Sequence, residues 1–378
     1  LIALAFAAHV SLATTFTIVD AGLARTQVDV QRIEGAKLFG RTPQGQVEMN
    51  TRDVVMLSRA AGNVISGDAQ RFQLVLRNGE SLAGRATAFS SDTVTWQTTT
   101  LGKRDVPLAQ IDRVVRAGAE ENVALTPEEA TRDVLLLSNG DRAGGIITAM
   151  DEKTVTLQGA DGQPLSVEWT SIRQIRLAAA GDAVPTRSKW RVSLSDGSVV
   201  DVDSIELRNE QSLIVKLGTR STSVPVDTVR SIENLDGRAR MLVRIPPMKQ
   251  EYAPYFPRAG SENTLAIPEE VVVGDLRTRA FIAARPYSRI TWAIEGKPDT
   301  FKTRFAVAGS GPLAQCQIRI WLDDRKVLDR ADLTSDTALE TFETRIGDAR
   351  TVTLEVDFGE NFDVQDQIYW IEPAFISE

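Results

Sequence analysis

The chain has 378 residues, 42% of them hydrophobic, with a formal net charge of -8, one cysteine and one histidine. That length and apolar content suit two to four globular domains, and the acidic balance, with no basic run to offset it, opposes binding to nucleic acid. One cysteine excludes an internal disulfide, and because His9 lies in an apolar leader the mature chain would offer no Ser-His-Asp or Cys-His arrangement, no histidine general base and no His/Cys zinc site.

Leu1 to Ala24 carries one charge, Asp20, and small residues before candidate cleavage points after Ala13 and Ala24. It reads as the remnant of a secretory signal over 1–24. His9, Thr14, Thr15 and Asp20 weaken a transmembrane reading, and no later stretch has about 20 consecutive apolar residues, so no membrane segment is expected after signal removal.

Next comes a repeat. Arg77-Asn78-Gly79-Glu80, Ser138-Asn139-Gly140-Asp141 and Ser195-Asp196-Gly197-Ser198 each separate an apolar alternating run from a second short run. The turn glycines Gly79, Gly140 and Gly197 advance by 61 and then 57 residues, and the later valines Val106, Val167 and Val224 take the same two steps. Two markers in one register identify repeated units. In the clearest unit, 72–117, Phe72, Leu74 and Leu76 alternate with polar or half-buried positions, Asn78-Gly79 forms a tight hairpin turn, and Gly84 sits where a strand must bend sharply. Strands at Thr93 to Trp96, Asp105 to Leu108 and Ile111 to Val115 complete five in about 45 residues, which predicts a small barrel. The units at 132–178 and 189–236 follow the same plan, although the latter has Asp201 near the place of the bend glycine. A degenerate unit is expected over 28–66, with Arg32-Ile33-Glu34-Gly35 as a weak echo of the opening. Between the second and third clear units, Thr126-Pro127-Glu128-Glu129 is suited to starting a short helix.

A strand, a Gly turn, a bend at Gly and a closing strand after a short turn, over Phe72 to Ile232, resemble the Sm-like small-barrel family in fold. The RNA-reading residues of that family have no counterpart here: Thr95 and Trp96 follow Asp92 where Asn is wanted, and Ala117 separates Arg116 from Gly118.

Five prolines between Pro246 and Pro268 mark a linker, placed over 237–270. All four tyrosines and three of six tryptophans follow residue 250. Alternation of Ile290, Trp292 and Ile294, of Phe301, Thr303, Phe305 and Val307, of Cys316, Ile318, Ile320 and Leu322, and of Val352, Leu354, Val356 and Phe358 predicts an antiparallel β-sandwich over 271–378. The fold class is therefore all-β: tandem small five-stranded barrels followed by a sandwich.

With Cys316, Ile318, Ile320 and Leu322 inward, Gln317, Arg319 and Trp321 share the opposite face of one strand. An aromatic face beside planar polar groups is what a sugar site needs, so these three are the candidate ligand-binding residues. The alternative is that this face packs on the second sheet or a loop. Trp292 shares a face with Ile290 and Ile294 and reads as core, as does the thiol of Cys316. Asp357, Asp363 and Asp366 fall in an acidic stretch that could offer oxygens to Ca²⁺, but their spacing fits no EF-hand and a solvated acidic turn is favoured. No cofactor and no catalytic residue is assigned.

Arg285-Pro286-Tyr287-Ser288-Arg289-Ile290, Phe301-Lys302-Thr303-Arg304-Phe305, the run Ile318 to Leu328, and Thr353 to Asp357 with Asp366-Gln367-Ile368-Tyr369-Trp370 are similar to the NPCBM family, named for carbohydrate binding. The resemblance implies a sandwich on a secreted, glycan-related protein. Together these readings give an exported, non-catalytic protein, secreted or of the periplasm or cell envelope. Its expected partner is a glycan or cell-surface polysaccharide; envelope proteins are the partners if it is a scaffold without a sugar site.

Overall fold

In the computed structural model the described residues are 15–59, 72–119, 126, 128–178, 188–209, 211–255, 271–274, 276–308, 313–360, 362 and 366–378. They divide into two compact units, the first holding residues 24–236 with the strand before residue 21, the second holding 237–378 with residues 21–23.

The first unit contains four repeats. Strands β1 (Thr15–Asp20), β2 (Arg25–Glu34), β3 (Lys37–Thr42), β4 (Gly45–Asn50) and β5 (Val54–Ser58) form the first. The second has β6 (Phe72–Leu76), β7 (Ser81–Phe89), β8 (Thr93–Thr98), β9 (Lys103–Pro107) and β10 (Ile111–Arg116). The third has β11 (Asp133–Leu137), β12 (Arg142–Met150), β13 (Thr154–Gln158), β14 (Pro164–Glu168) and β15 (Ile172–Arg176). The fourth has β16 (Trp190–Leu194), β17 (Val199–Val202), β18 (Ser204–Asn209), β19 (Ser212–Leu217), β20 (Arg220–Pro225) and β21 (Val229–Asn234). Each repeat is an antiparallel meander whose last strand returns beside its first: β5 on β1, β10 on β6, β15 on β11 and β21 on β16. A one-turn 3-10 helix precedes each closing strand. The expectation of closed barrels is corrected in one respect. Among the described residues the strand before the closing one pairs only with its predecessor, so each repeat is a bent sheet open at that point, of five strands in the first three repeats and six in the fourth, whose second strand is broken in two.

The bend has the expected cause in two repeats. A Cβ on Gly84 would lie 2.1 Å from the Gln97 carbonyl oxygen and one on Gly145 would lie 2.2 Å from that of Gln158, so only glycine lets the neighbouring strand approach this closely. The fourth repeat breaks its second strand at Asp203 instead, and Val202 there is fully buried.

The first repeat opens earlier than its sequence suggests. Thr15–Asp20 is a strand with Phe16, Ile18 and Val19 buried, and the turn after it is held by the Ala24 amide on the Asp20 carboxylate at 2.9 Å. Residues 15–24 are therefore removed from the leader reading, because cleavage after Ala24 would take away a buried strand. Ala13 and His9 lie outside the described residues. Of Arg32 to Gly35, read as the opening, Arg32 to Glu34 end β2 and Gly35 stands in the turn that follows.

The repeats pair out of sequence order. The closing strands of the first and fourth lie side by side, Ile232 opposite Leu57, and those of the second and third do the same, Val114 opposite Ile175. A bridge between Val199 and Ser81 links the fourth repeat to the second. One continuous apolar core runs through all four. Arg116 is occupied at the junction of the second and third repeats, where its Nη2 donates to the Trp169 carbonyl at 2.6 Å and its guanidinium lies 5.1 Å from the Phe72 ring centre.

The second unit is a sandwich of β22 (Ala239–Met241), β23 (Lys249–Tyr252), β24 (Val271–Val273), β25 (Leu276–Thr278), β26 (Phe281–Ala284), β27 (Ser288–Ala293), β28 (Thr300–Val307), β29 (Gln315–Leu322), β30 (Arg325–Thr334), β31 (Glu340–Arg345), β32 (Thr351–Phe358) and β33 (Ile368–Ile376). One sheet runs β22-β33-β28-β31 with β26 also on β33, the other runs β23-β27-β32-β29-β30, and β24 and β25 form a separate hairpin. The 237–270 linker is corrected by β22 and β23, which its first part contributes to the two sheets. Prolines 246 and 247 mark the crossing between sheets and not a domain boundary. Trp292, Phe301, Phe305, Ile318, Ile320, Leu354, Trp370 and Phe375 fill the interior, all 2% exposed or less.

Candidate functional site

Strand β29 alternates as its sequence requires: Cys316, Ile318, Ile320 and Leu322 are buried, while Gln317, Arg319 and Trp321 are half-buried on the outer face. Register then decides what they meet. On β32, Asp357 lies opposite Gln317, Glu355 opposite Arg319 and Thr353 opposite Trp321; on β30, Asp329 lies opposite Arg319 and Lys326 opposite Trp321. Three predicted residues therefore sit in one row flanked by two rows of charge.

The row is bonded throughout. Arg319 Nη1 donates to Glu355 Oε1 at 2.5 Å and to Asp357 Oδ2 at 2.8 Å, and its Nη2 donates to Gln317 Oε1 at 2.7 Å. Gln317 Nε2 donates onward to Asp329 Oδ1 at 2.7 Å, and Lys326 pairs with the other Asp329 oxygen. Trp321 Nε1 donates to Glu355 Oε2 at 3.0 Å. Glu355 is thus the hub, 4% exposed on the outward face of the sheet, with Arg289 from β27 approaching its Oε2 at 3.7 Å. Burial works against the Arg319 charge, but Glu355 and Asp357 outweigh it and raise the guanidinium pKa above its ordinary value. Lys326 and Gln317 hold the Asp329 carboxyl below the usual range.

The consequence for Trp321 is a fixed ring. Its N–H is tied to Glu355, and Arg289 and Lys326 place cations 5.6 and 5.8 Å from its ring centre, within the range of attraction to an aromatic face. A half-buried indole held among carboxylates, an amide and guanidinium groups can stack one apolar face of a ligand and offer hydrogen bonds at its rim.

The structure also gathers aromatics that the sequence does not associate. Tyr255 and Phe362 stack with ring centres 4.3 Å apart and planes at 27°, with Phe358 edge-on to Tyr255 at 6.0 Å. Tyr255 is 50% exposed and Phe362 47%. Tyr255 falls in the stretch read as linker and Phe362 in the acidic stretch, with most of the sandwich between them in the chain. The concentration of tyrosine after residue 250 is the one trace of the pair in the sequence.

The other candidates separate. Asp357 is held by Arg319, Asp366 accepts the Gln315 amide at 2.7 Å, and Asp363 lies outside the described residues. Among the described residues no group of three or more His, Cys, Asp or Glu is gathered to hold a metal ion. Trp292 is core, its Nε1 donating to the Ile245 carbonyl at 2.8 Å, and Trp370 is fully buried. Cys316 is fully buried, and desolvation pushes its thiol pKa up to about 12.

Two sheets whose edge strands include residues before 255, with β33 at the centre of one and β32 in the other, are the frame against which known domains can be compared. Residues 280–376 match the NPCBM/NEW2 domain. The match spans the motifs from Arg285 to Trp370 on which the sequence resemblance rests. Among solved structures, the chain is similar to a CBM51 module of Clostridium perfringens GH95 in complex with methyl-galactose, at 19% identity over 36% of this chain and 98% of that one, TM-score 0.30. It is also similar to the CBM51-2 and INT domains of Clostridium perfringens ZmpB in complex with GlcNAc, at 14% identity over 49% of this chain and 40% of that one, TM-score 0.31. A third is the tandem CBM51 pair of Sp3GH98 from Streptococcus pneumoniae, at 10% identity over 96% and 88%, TM-score 0.30. No curated protein sequence matches the chain. No helix among the described residues is long and apolar enough to cross a membrane.

Proposed function

We propose that this protein is a non-catalytic carbohydrate-binding protein, exported to the cell envelope or beyond, whose NPCBM/NEW2 sandwich holds a glycan against Trp321. The observation that carries the reading is the half-exposed indole locked to Glu355 at 3.0 Å within a row of fixed polar groups. A pyranose has an apolar face that stacks on such a ring, and its hydroxyls need planar partners held in place beforehand. Gln317, Asp329 and Asp357 stand in that position beside Arg319. Export rests on the apolar character of residues 1–13 and not on the fold. A second reading puts the sugar on the Tyr255–Phe362 pair, favoured by the exposure of both rings.

The test is a broad glycan array probed with the whole chain, with Ca²⁺ and with chelator, beside Trp321→Ala and Tyr255→Ala. Loss of binding by roughly tenfold or more in Trp321→Ala alone is the expected result. Loss in Tyr255→Ala alone moves the site to the aromatic pair. Silence across the array sinks the carbohydrate reading and leaves the scaffold role.

A further inference from the structure

The junction between the second and fourth repeats has a two-fold symmetry that the sequence order hides. Counting from the turn glycines, residue 80 corresponds to 198, 81 to 199 and 83 to 201 (each plus 118). Across the junction Ser81 faces Val199, the Asp201 amide donates to Glu80 Oε1 at 2.9 Å, and the Ala83 amide donates to Ser198 Oγ at 3.0 Å. Each contact is the other with the repeats exchanged. Acceptor and donor positions lie on the same short edge, so this edge is complementary to itself. In both repeats the acceptor is buried, Glu80 at 6% exposed and Ser198 at 0%.

The third repeat has the same edge and, among the described residues, shows no such junction. Adding 61, the acceptor position is Asp141, the central one Arg142 and the donor position Gly144. Gly144 lies opposite Val134, as Ala83 lies opposite Gln73 and Asp201 opposite Arg191, so the register points its amide outward in the same way. Here, however, Asp141 is exposed, and Ile146 beside it is 66% exposed. A groove of about 410 Å³ lies at the Gly144–Ile146 end of this edge, lined also by Gly159 and Arg132, and Arg132 Nε is buried there without a hydrogen-bond partner. Arg142 at the centre is neutralised by Glu129, with Nη1 2.8 Å from its Oε2.

We propose that the Asp141–Ile146 edge of the third repeat docks on the same edge of a second copy of this chain, giving a two-fold dimer that repeats the internal junction. In that register Arg142 faces its own copy, each Asp141 accepts the partner's Gly144 amide, and the two Ile146 side chains leave water at the rim. An interface built from one patch used twice closes after two subunits, and pairing also covers an exposed strand edge.

Sedimentation of the whole chain over a range of concentration tests this. The expected result is a species near twice 41.3 kDa, weakened about tenfold or more by Ile146→Lys and by Asp141→Lys, both at exposed positions. Arg142→Cys should form a disulfide-linked dimer under mild oxidation, since directly opposed residues lie within bridging distance; Glu152→Cys, in an exposed turn, should not. Cys316 is buried and does not compete. A monomer at all concentrations overturns the proposal, as does a dimer indifferent to Ile146→Lys that fails to cross-link at position 142.

Discussion

At the scale of single residues, Cys316 shows how burial alone sets chemistry. Its neighbours on β29 are Ile318 and Ile320, it makes no disulfide, and its thiol pKa rises from 9.0 to about 12 through desolvation. In the unfolded chain the thiol ionises near its ordinary value, so the folded state holds the proton over the interval between the two. The stabilising contribution is therefore complete below about pH 9 and is lost as pH rises towards 12, at roughly 1.4 kcal/mol per unit. Urea unfolding at pH 8 and pH 10.5 should show this decline in the natural chain and not in Cys316→Ala. An equal decline in both would assign it elsewhere. Period-two alternation made the inward Cys316 and the outward Gln317, Arg319 and Trp321 legible in advance. Glu355 was not, because its position as hub comes from pairing β29 with β32, and the register between strands that β30 and β31 separate in the chain is not written in either.

Among elements, glycine marks the bent strands where the strand is continuous. Gly84 and Gly145 sit at the crossing of two hydrogen-bonded partners, while the fourth repeat tolerates Val202 because its strand is interrupted at Asp203. Gly84→Ala should cost about 1–3 kcal/mol through overpacking against the Gln97 carbonyl, read as a lower denaturant midpoint; an unchanged midpoint would mean the strands separate freely. The Asn-Gly and Asp-Gly turns made three repeats legible. The first repeat was obscured because its opening turn, at residues 21–24, has no such pair, and its strand β1 is apolar enough to read as part of a leader. The 3-10 turns before each closing strand were also missed, since a single turn carries no period. Where a short helix was expected from Thr126, a one-turn 3-10 helix begins at Glu129, and the side chains of Thr126 and Glu129 accept each other's amides at 3.2 and 2.8 Å, the reciprocal bonding of a capping box; Pro127 lies outside the described residues. The strands before the closing ones, β9, β14 and β20, begin or end in proline, at Pro107, Pro164 and Pro225, which blunts edges that would otherwise recruit other strands.

For the whole molecule, the arrangement of repeats was beyond the reach of sequence. Periodicity identifies units, but the pairing of the first with the fourth and the second with the third follows from which closing edges match, and each unit carries a similar edge. The same limit applies to β22 and β23: a proline-rich stretch gives no sign that it supplies strands to both sheets of the sandwich.

Out-of-order pairing also has a meaning in time. During synthesis the second repeat finds its companion one repeat later, when Ile175 follows Val114, whereas Ser58 must wait through two intervening repeats for Ser231. At roughly 5–20 residues per second these delays are about 3–12 s and about 9–35 s. For that longer interval the first repeat has an uncovered closing strand at the ribosome while the middle pair assembles. Nascent chains arrested shortly after residue 178 emerges should accordingly resist protease over 72–178 and be cut within 15–59. Equal resistance of the two would show that the first repeat holds its fold alone, and that its late companion adds stability without being required for it.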